Sequence, residues 1–306
     1  MKLKEIKESF QKKEFNKSTF IEKMYSVHET LFDYADYIGS TDIKKIEITD
    51  GKVVLTTRND TVHLIAQYPD RRIIPIEILN FSTYENEILD FFKKIIKPDW
   101  TIFDIGGNVG WYTINLKKHY KDLNIFTFEP IPKTFEMLTE NCELNKIPTD
   151  NLFNIGFSDE DKDAVFYVYP EGCGNSSLQN LSGNSTVKEI RAKLKRIDTF
   201  IKENNLKIDY IKIDVEGAEF LAFKGAYETI KRDKPIIFTE LLRKWSAKFN
   251  YHPNDVIKWF KDLGYACYFL NQEKLSKIDM ITDDTLETNF FFLHAEKHKS
   301  EINKFK

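Results

Sequence analysis

The chain has 306 residues, of which 42% are hydrophobic and 14% aromatic, and this composition predicts a folded protein rather than a disordered chain. Its 45 basic and 48 acidic residues give a net charge of -3, which argues against the concentrated basic surface that nucleic-acid binding requires. Three widely spaced cysteines indicate neither a zinc site nor a disulfide framework, and no segment resembles a signal peptide or a membrane span, so we expect a cytoplasmic protein.

The first 80 residues predict an extension that precedes the main domain. Residues 1–37 are rich in lysine and glutamate and place apolar residues at helical spacing, so they predict helices. Asp50-Gly51 is a dipeptide typical of tight hairpin turns, and it divides two predicted strands within residues 46–55. Because this region carries no recognisable chemistry, we assign residues 1–80 to an N-terminal helix and hairpin extension. Residues 81–306 then form the main domain.

Predicted strands alternate with predicted helices from Trp100 onward, which is the pattern of a parallel sheet with crossover helices. The predicted strands are 101–105, 124–129, 152–157, 210–215 and 236–241. The predicted helices are 110–120, 132–144, 218–230 and 254–263, after an earlier helix at 84–96. Two late strands, 265–270 and 289–294, suit an antiparallel edge. The predicted fold class is therefore α/β, with a Rossmann-like, mostly parallel sheet and helices on both faces.

The alternation is interrupted between about residues 160 and 197. Two β runs, 164–169 and 187–197, flank a polar segment at 171–177. Because this interruption lies between two strands of the predicted sheet, we expect an insertion that acts as a substrate lid.

The segment TIFDIGGNVGWYT, residues 101–113, contains the most informative turn of the chain. Asp104 lies at the carboxyl end of a predicted strand, and Gly106 and Gly107 allow the backbone to turn sharply before a helix that Gly110 opens. Ligands of open α/β sheets bind at the carboxyl ends of the strands. The acid-x-Gly-Gly-x-x-Gly spacing differs from the Gly-x-Gly-x-x-Gly of dinucleotide sites.

Glu129 ends the second predicted strand, 25 residues after Asp104. A carboxylate in this place can accept hydrogen bonds from both hydroxyls of a ribose, as the acid of a nicotinamide site does. The alternative is a surface acid at a strand end, but the pairing with the glycine turn favours nucleoside binding. Pro130 fixes the direction in which the chain leaves the strand.

Six segments occur in the order found in the FkbM family of methyltransferases, and the chain resembles this family over about residues 84–241. The segments are Asp104–Gly110, Phe128–Pro130, Asn154–Asp159, Gly174–Leu178, Ile211–Glu219 and Pro235–Glu240. The resemblance implies the class I Rossmann-like methyltransferase fold and S-adenosylmethionine as the methyl donor. It also implies O-methylation of a hydroxyl on a sugar, glycan or similar small polar acceptor.

The resemblance also implies which residues bind the cofactor. The glycine turn would line the methionine end, and it consists of Asp104, Gly106, Gly107, Asn108 and Gly110. Glu129 would hold the ribose, and Ser158 or Asp159 would meet the edge of the adenine. Tyr84, where the resemblance begins, is assigned to the same cofactor site.

Acidic residues near the ends of the fourth and fifth predicted strands are the catalytic candidates. Side chains alternate along a strand, so Lys212, Asp214 and Glu216 point to one face. Mutual repulsion of two carboxylates raises the pKa of one of them and suits it to act as a base. Glu240 would lie beside Asp214 if the strand order follows the family, and together they could bind a divalent cation. Metal-dependent catechol O-methyltransferase resembles this arrangement, although the lysine that follows its first acid is Gly217 in this chain.

Two other functions compete with O-methylation. A nicotinamide-dependent oxidoreductase is disfavoured by the glycine spacing, and a non-catalytic scaffold is disfavoured because it has no reason to gather carboxylates at three strand ends. A nucleic-acid acceptor is disfavoured by the charge and by the lack of an Asn-Pro-Pro-Tyr-like tetrapeptide. The Lys-, Asn- and Ile-rich composition suggests a bacterial, AT-rich genome. For such a protein the family resemblance implies surface polysaccharide biosynthesis, with a sugar, nucleotide sugar or glycan as the acceptor. The aromatic N-terminal extension could mediate a homodimer.

Overall fold

A computed structural model describes residues 2–169, 171–172, 174, 176–181 and 187–306. The strands are β1 (Ile43–Thr49), β2 (Lys52–Thr57), β3 (His63–Ala66), β4 (Thr101–Ile105), β5 (Asn124–Phe128), β6 (Leu152–Phe153), β7 (Gly156–Phe157), β8 (Lys162–Val168), β9 (Lys188–Lys195), β10 (Tyr210–Ile213), β11 (Ile236–Glu240), β12 (Tyr265–Asn271), β13 (Lys274–Ile278) and β14 (Asn289–His294). The helices are α1 (Lys2–Gln11), α2 (Lys17–His28), α3 (Thr30–Tyr37), α4 (Ile74–Phe81), α5 (Asn86–Ile95), α6 (Trp111–His119), α7 (Pro132–Leu144), α8 (Ile197–Asn204), α9 (Glu219–Lys224), α10 (Tyr227–Asp233), α11 (Arg243–Ser246), α12 (Pro253–Asp262) and α13 (Lys299–Lys304).

The largest sheet confirms the predicted α/β fold class. Its strand order is β13-β12-β14-β11-β10-β4-β5-β6, and the strands from β11 to β6 are parallel to one another. Strand β14 pairs antiparallel with both β11 and β12, as expected for the late strands. Two apolar clusters pack on opposite faces of this sheet, one around Ile102 and Phe291 and the other around Phe103 and Phe292. The alternation of strand residues explains this division.

The chain order creates a topological switch point between β4 and β10. From β4 the chain runs outward through α6, β5 and α7 to β6, and it later returns to the other side of β4 as β10 and β11. Crossover helices therefore leave in opposite directions from β4 and β10. This geometry opens a crevice at their carboxyl ends, where open α/β sheets bind ligands.

Strands β1, β2 and β3 form a separate antiparallel sheet that shares a hydrophobic cluster with the main sheet. Asn141 of α7 accepts a hydrogen bond from the Ile65 amide at 3.0 Å, and Asn145 accepts one from the His63 amide at 2.9 Å. These bonds join β3 to α7. The domain boundary near residue 80 stays a prediction. Among the described residues, no helix has both the length and the apolarity needed to cross a bilayer.

The predicted strand 152–157 is divided between two sheets. Leu152–Phe153 pairs with β5, whereas Gly156–Phe157 pairs with β9 in the small sheet β7-β9-β8. The ladder between β5 and β6 ends because the next amide on that side, that of Ile131, donates to the Glu129 carboxylate at 2.9 Å instead of to the neighbouring strand. The Asn154 side chain instead donates to the Glu129 carbonyl at 2.8 Å, which directs the chain out of the main sheet.

The predicted helix 218–230 is two helices, α9 and α10, which are separated at Gly225. The amides of Glu228 and Thr229 donate to the Asp198 carboxylate at 3.2 and 2.9 Å, so they are not available for one continuous helix. A Cβ at Gly225 would lie 2.0 Å from the Ser158 carbonyl oxygen, and this close approach requires glycine. Helix α8, which supplies Asp198, was missed by the sequence reading.

Candidate active site

A cleft of about 610 Å³, counting the space open to solvent, lies at the switch point. The carboxyl ends of three strands contribute to its lining. The residues are Gly106 and Asn108 after β4, Glu129, Pro130 and Ile131 after β5, and Asp214, Val215, Glu216 and Ala218 after β10. Gly156 and Phe157 of β7 line it as well. The structure thus brings several predicted site residues around one cleft.

The predicted insertion forms another wall of this cleft. Its small sheet contributes Phe166 and Leu194, and the segment between β8 and β9 contributes Gly174, Ser176 and Leu178. A Cβ at Gly174 would lie 3.4 Å from the Asn108 side-chain nitrogen, so the segment lies close to the glycine turn. Pro170, Cys173, Asn175 and residues 182–186 lie outside the described part of the insertion.

The glycine turn bends tightly over the end of β5. The amides of Gly106 and Gly107 both donate to the Phe128 carbonyl at 3.0 Å. Gly106 and Gly110 have φ angles of 72° and 93°, in the region that disfavours side chains. A Cβ at Gly106 would also lie 1.9 Å from the Asp214 carbonyl oxygen. Glycine is therefore needed where the β4 and β10 loops meet.

Glu129 is a buried carboxylate, 6% exposed, at the edge of the cleft. One of its oxygens accepts the Asn108 amide at 3.1 Å and the other accepts the Ile131 amide at 2.9 Å. Burial raises the pKa of the Glu129 carboxyl to about 7, although the two amides act in the opposite direction. A carboxylate can accept about four hydrogen bonds, so acceptor capacity remains toward the cleft.

Asp104 is 1% exposed and is not part of the cleft lining. It accepts a hydrogen bond from the Thr113 hydroxyl at 2.7 Å, and its other oxygen lies 3.4 Å from the Lys212 ammonium. Lys212 also donates to the Gly106 carbonyl at 2.8 Å. Burial lowers the pKa of Lys212, but Asp104, Asp214 and Glu85 more than compensate, so the pKa is raised and the lysine stays charged. This buried ion pair therefore holds the glycine turn from beneath.

Ser158 and Asp159 also lie outside the cleft lining. Ser158 is fully buried, and its hydroxyl donates to the Asp159 carboxylate at 3.0 Å. The neighbouring Gly156 and Phe157 reach the cleft instead. The assignment of Ser158 or Asp159 to the edge of the adenine therefore stays a prediction.

Tyr84 is not among the residues that line the cleft. Its ring contacts the Trp111 ring edge-on, with centroids 5.8 Å apart. Burial raises the pKa of the Tyr84 hydroxyl, and the charges of Glu85, Asp214 and Glu240 raise it further. Two of the acids that raise the Tyr84 pKa, Asp214 and Glu240, lie at the ends of β10 and β11, and Glu129 is not among them.

Four acidic side chains gather at the carboxyl ends of β10 and β11: Asp214, Glu216, Glu219 and Glu240. We call them the acid cluster. Burial raises the pKa values of Glu216 and Glu240, and the charge of Asp214 raises both further. A proton is therefore retained near neutral pH on this coupled pair. Such a group can take up or release a proton during catalysis.

Glu219 holds the turn that carries Glu216. It is 2% exposed, and one oxygen accepts the amides of Val215 and Gly217 at 3.0 and 3.1 Å. Glu216 and Gly217 have φ angles of 53° and 97°, so this turn is strained and needs support. Burial raises the pKa of Glu219 to about 7 in spite of these hydrogen bonds. Glu219 thus satisfies two amides of the turn that precedes α9.

Two residues that sequence reasoning did not assign to the site complete the support of this turn. The Tyr251 hydroxyl donates to the Gly217 carbonyl at 2.9 Å and lies 3.1 Å from the second Glu219 oxygen. The hydroxyl of Ser177, which is fully buried in the insertion, donates to the Glu216 carbonyl at 2.8 Å. Ser177 occurs in the segment 174–178 that carried the family resemblance. No sequence pattern indicated Tyr251. Its neighbour His252 caps α12 through its ring nitrogen.

The structure does not support the metal site considered at Asp214 and Glu240. Among the described residues, no group of three or more His, Cys, Asp or Glu side chains is placed to hold a metal ion. The charged Lys212 ammonium also lies beneath the glycine turn, and its positive charge would repel a metal cation.

Comparisons with known proteins agree with this geometry. The methyltransferase FkbM domain matches residues 104–267. Methyltransferase 1 of Beauveria bassiana is 30% identical over 145 residues, which cover 42% of this chain and 58% of that protein. Hexuronic acid methyltransferase AglP of Haloferax volcanii is 27% identical over 143 residues, 46% of this chain and 56% of that protein. 2-O-methyltransferase NoeI of Sinorhizobium fredii is 29% identical over 161 residues, 47% of this chain and 64% of that protein.

The chain thus spans about six-tenths of the length of these curated relatives. Among solved structures, the FkbM methyltransferase of Methylobacillus flagellatus is 16% identical, with a TM-score of 0.44, over 67% of this chain and 47% of that one. The matched domain contains the glycine turn, Glu129 and the acid cluster, and it covers more than half of the chain. The chain belongs to the FkbM methyltransferase family.

Proposed function

We propose that this protein transfers a methyl group from S-adenosylmethionine to a hydroxyl group of a sugar or glycan. The observation that carries the cofactor assignment is the position of Glu129. Its buried carboxylate is fixed by two backbone amides and keeps acceptor capacity toward the cleft, which suits the two hydroxyls of a ribose.

The cleft also fits the remainder of a nucleoside. Phe157, Phe166 and Leu194 supply apolar surface beside Glu129, where a purine would pack. Gly106 and Asn108 present main chain on the other side, and this bare backbone allows close approach of the methionine portion.

When bound, the cofactor supplies a methyl group that is already activated on a sulfonium, so the protein's main task is alignment. Asp214 lies at the switch point, where it would orient the acceptor hydroxyl. Whichever of Glu216 and Glu240 is ionised when the acceptor binds would accept the proton that this hydroxyl loses. The raised pKa values of the pair suit this role, because a base works best when its pKa is near the operating pH.

The nature of the acceptor is supported by two relatives and by the electrostatics of the site. AglP is named for a hexuronic acid and NoeI for 2-O-methylation. The acid cluster disfavours an acceptor whose own carboxylate lies next to the methylated atom, since like charges repel. We therefore favour a hydroxyl acceptor over methyl-ester formation on a carboxylate.

A labelled methyl donor tests this function directly. The protein is incubated with deuterated-methyl S-adenosylmethionine and neutral sugars, nucleotide sugars, uronic acids or extracted glycan, and the products are examined by mass spectrometry. We expect a mass increase of one labelled methyl group that survives mild alkali, because ethers are stable and methyl esters are hydrolysed. Label that is lost in alkali, or label on an amine, would overturn the hydroxyl assignment.

A further inference from the structure

The N-terminal helices α1, α2 and α3 bury none of their residues in the described structure. They nevertheless carry seven of the fifteen exposed large hydrophobic side chains of the described chain, which are Leu3, Ile21, Tyr25, Leu31, Phe32, Tyr34 and Tyr37. Exposed apolar side chains that are scattered singly are normal, but a concentration of them marks an interaction surface. Much of the apolar surface of these helices is therefore left uncovered by the described part of the chain.

Two surfaces of this region differ in shape and charge. Helices α1 and α2 form a hairpin in which the Phe10 and Phe20 rings stack at 4.3 Å. Leu3, Ile21 and Tyr25 are left exposed on this hairpin. Helix α3 lines a shallow groove, open to solvent, with Thr30, Asp33, Tyr34, Asp36 and Tyr37. Four of these groove residues recur at i, i+3, i+4 and i+7, which is one face of a helix.

The charges of the two surfaces are complementary. Residues 2–17, at the start of the hairpin, contain six lysines and three glutamates, for a net charge of +3. Residues 29–37, which form α3 and its first cap, contain Glu29, Asp33 and Asp36 and no basic residue, for a net charge of −3. Tyr34 and Tyr37 remain 42% and 46% exposed, so the hairpin of the same chain does not cover the groove.

We propose that the α1–α2 hairpin of one copy docks on the α3 groove of a second copy, and that the second copy returns the contact. Because both surfaces belong to one chain, a two-fold axis forms both contacts at once. Each contact would cover aromatic side chains and bring a +3 segment against a −3 segment. Such charge pairing selects the partner and fixes the register. This inference does not depend on the substrate proposed above.

Charge-swap complementation tests the contact in the full-length protein. A hairpin variant carries Lys2→Glu, Lys7→Glu and Lys12→Glu, and a groove variant carries Glu29→Lys, Asp33→Lys and Asp36→Lys. Size-exclusion chromatography with light scattering should give the wild type twice the 36.1 kDa mass of one chain. Each variant alone should dimerise at least about tenfold more weakly. An equimolar mixture should regain the dimer, since both hairpin–groove pairs are then of opposite charge.

A control variant with Lys248→Glu, Lys258→Glu and Lys261→Glu makes the same change in net charge as the hairpin variant, but outside the N-terminal helices, and should dimerise like the wild type. If a charge variant fails to fold, as judged by circular dichroism, Ile21→Ser with Tyr25→Ser replaces it and should likewise weaken the dimer. A monomeric wild type would overturn the proposal. So would a mixture of the two charge variants that stays monomeric, or single variants that dimerise normally.

Discussion

The two halves of the cleft use carboxylates in different ways. At the end of β5, Glu129 stands alone with each oxygen bound to a backbone amide. At the ends of β10 and β11, four acids are crowded together, and burial and mutual repulsion raise the pKa values of Glu216 and Glu240. A lone, amide-bound carboxylate is fixed in place and suits binding. A crowded group, in which neighbouring acids alter one another's proton affinity, suits chemistry.

Glycine substitution should have the largest effect, because Gly106 is where the two halves meet. Gly106→Ala puts a Cβ 1.9 Å from the Asp214 carbonyl oxygen at a φ of 72°. We expect a loss of about 3 kcal/mol in the free energy of unfolding, from left-handed strain and overpacking together. Urea denaturation measures this change. Gly39→Ala is the control, because its Cβ meets nothing within 4 Å, and an equal loss in both variants would contradict the account.

Asp214→Asn should separate chemistry from binding. We expect turnover to fall by about a hundredfold while the affinity for S-adenosylhomocysteine stays within about threefold, since only the acid cluster is altered. Single-turnover kinetics and calorimetry measure the two quantities. Asp262→Asn, an exposed substitution, should change neither. Retention of full turnover in Asp214→Asn would remove this residue from catalysis.

Tyr251→Phe should have a smaller effect on the same half of the cleft. It removes the hydroxyl that bonds the Gly217 carbonyl and contacts Glu219, so the strained turn at Glu216 loses one support. We expect kcat to fall by about tenfold with little change in cofactor affinity. Tyr227→Phe, on the exposed side of α10, is the matched control. A change in cofactor affinity with kcat intact would show that Tyr251 acts on the binding half instead.

The pH dependence of the free energy of unfolding should reveal the buried acid Glu219, and the test substitution replaces only one heavy atom of its side chain. The pKa of Glu219 is about 7 in the folded protein and near 4.5 in the unfolded chain. Its contribution to stability is therefore complete below about pH 4.5 and is lost as the pH rises through 7, by up to ~3 kcal/mol. Glu219→Gln should flatten the decline in unfolding free energy between pH 5 and 8 relative to the wild type. Glu136→Gln, an exposed change, should keep the wild-type slope.

The sequence predicted the parallel sheet and the glycine turn well because both depend on local patterns. Alternating apolar strands and helices identify the fold class, and Gly106 and Glu129 occur at a spacing that a nucleoside site requires. The two broken elements were not predictable from local pattern. The division at Gly225 depends on Asp198, which lies 27 residues earlier in the chain.

The site was predicted less completely than the fold, for a related reason. Asp104 was assigned to the cofactor, yet its side chain lies beneath the glycine turn and pairs with Lys212. The face of β4 on which the Asp104 side chain lies determines this pairing. Ser177 and Tyr251 reach the Glu216 turn from distant segments. Contacts of this kind depend on how the insertion and the segment before α12 pack over the sheet. Residue spacing in the sequence does not predict this packing.

The most direct test is isothermal titration of S-adenosylhomocysteine into the wild type, Glu129→Ala and Glu136→Ala. The account predicts wild-type affinity for Glu136→Ala, which is exposed on α7, and a loss of about a hundredfold or more for Glu129→Ala, because the ribose hydroxyls lose their charged acceptor. The wild-type affinity should also weaken below pH 7, as Glu129 becomes protonated. Unchanged affinity in Glu129→Ala, with the protein folded, would contradict nucleoside binding at this end of the sheet.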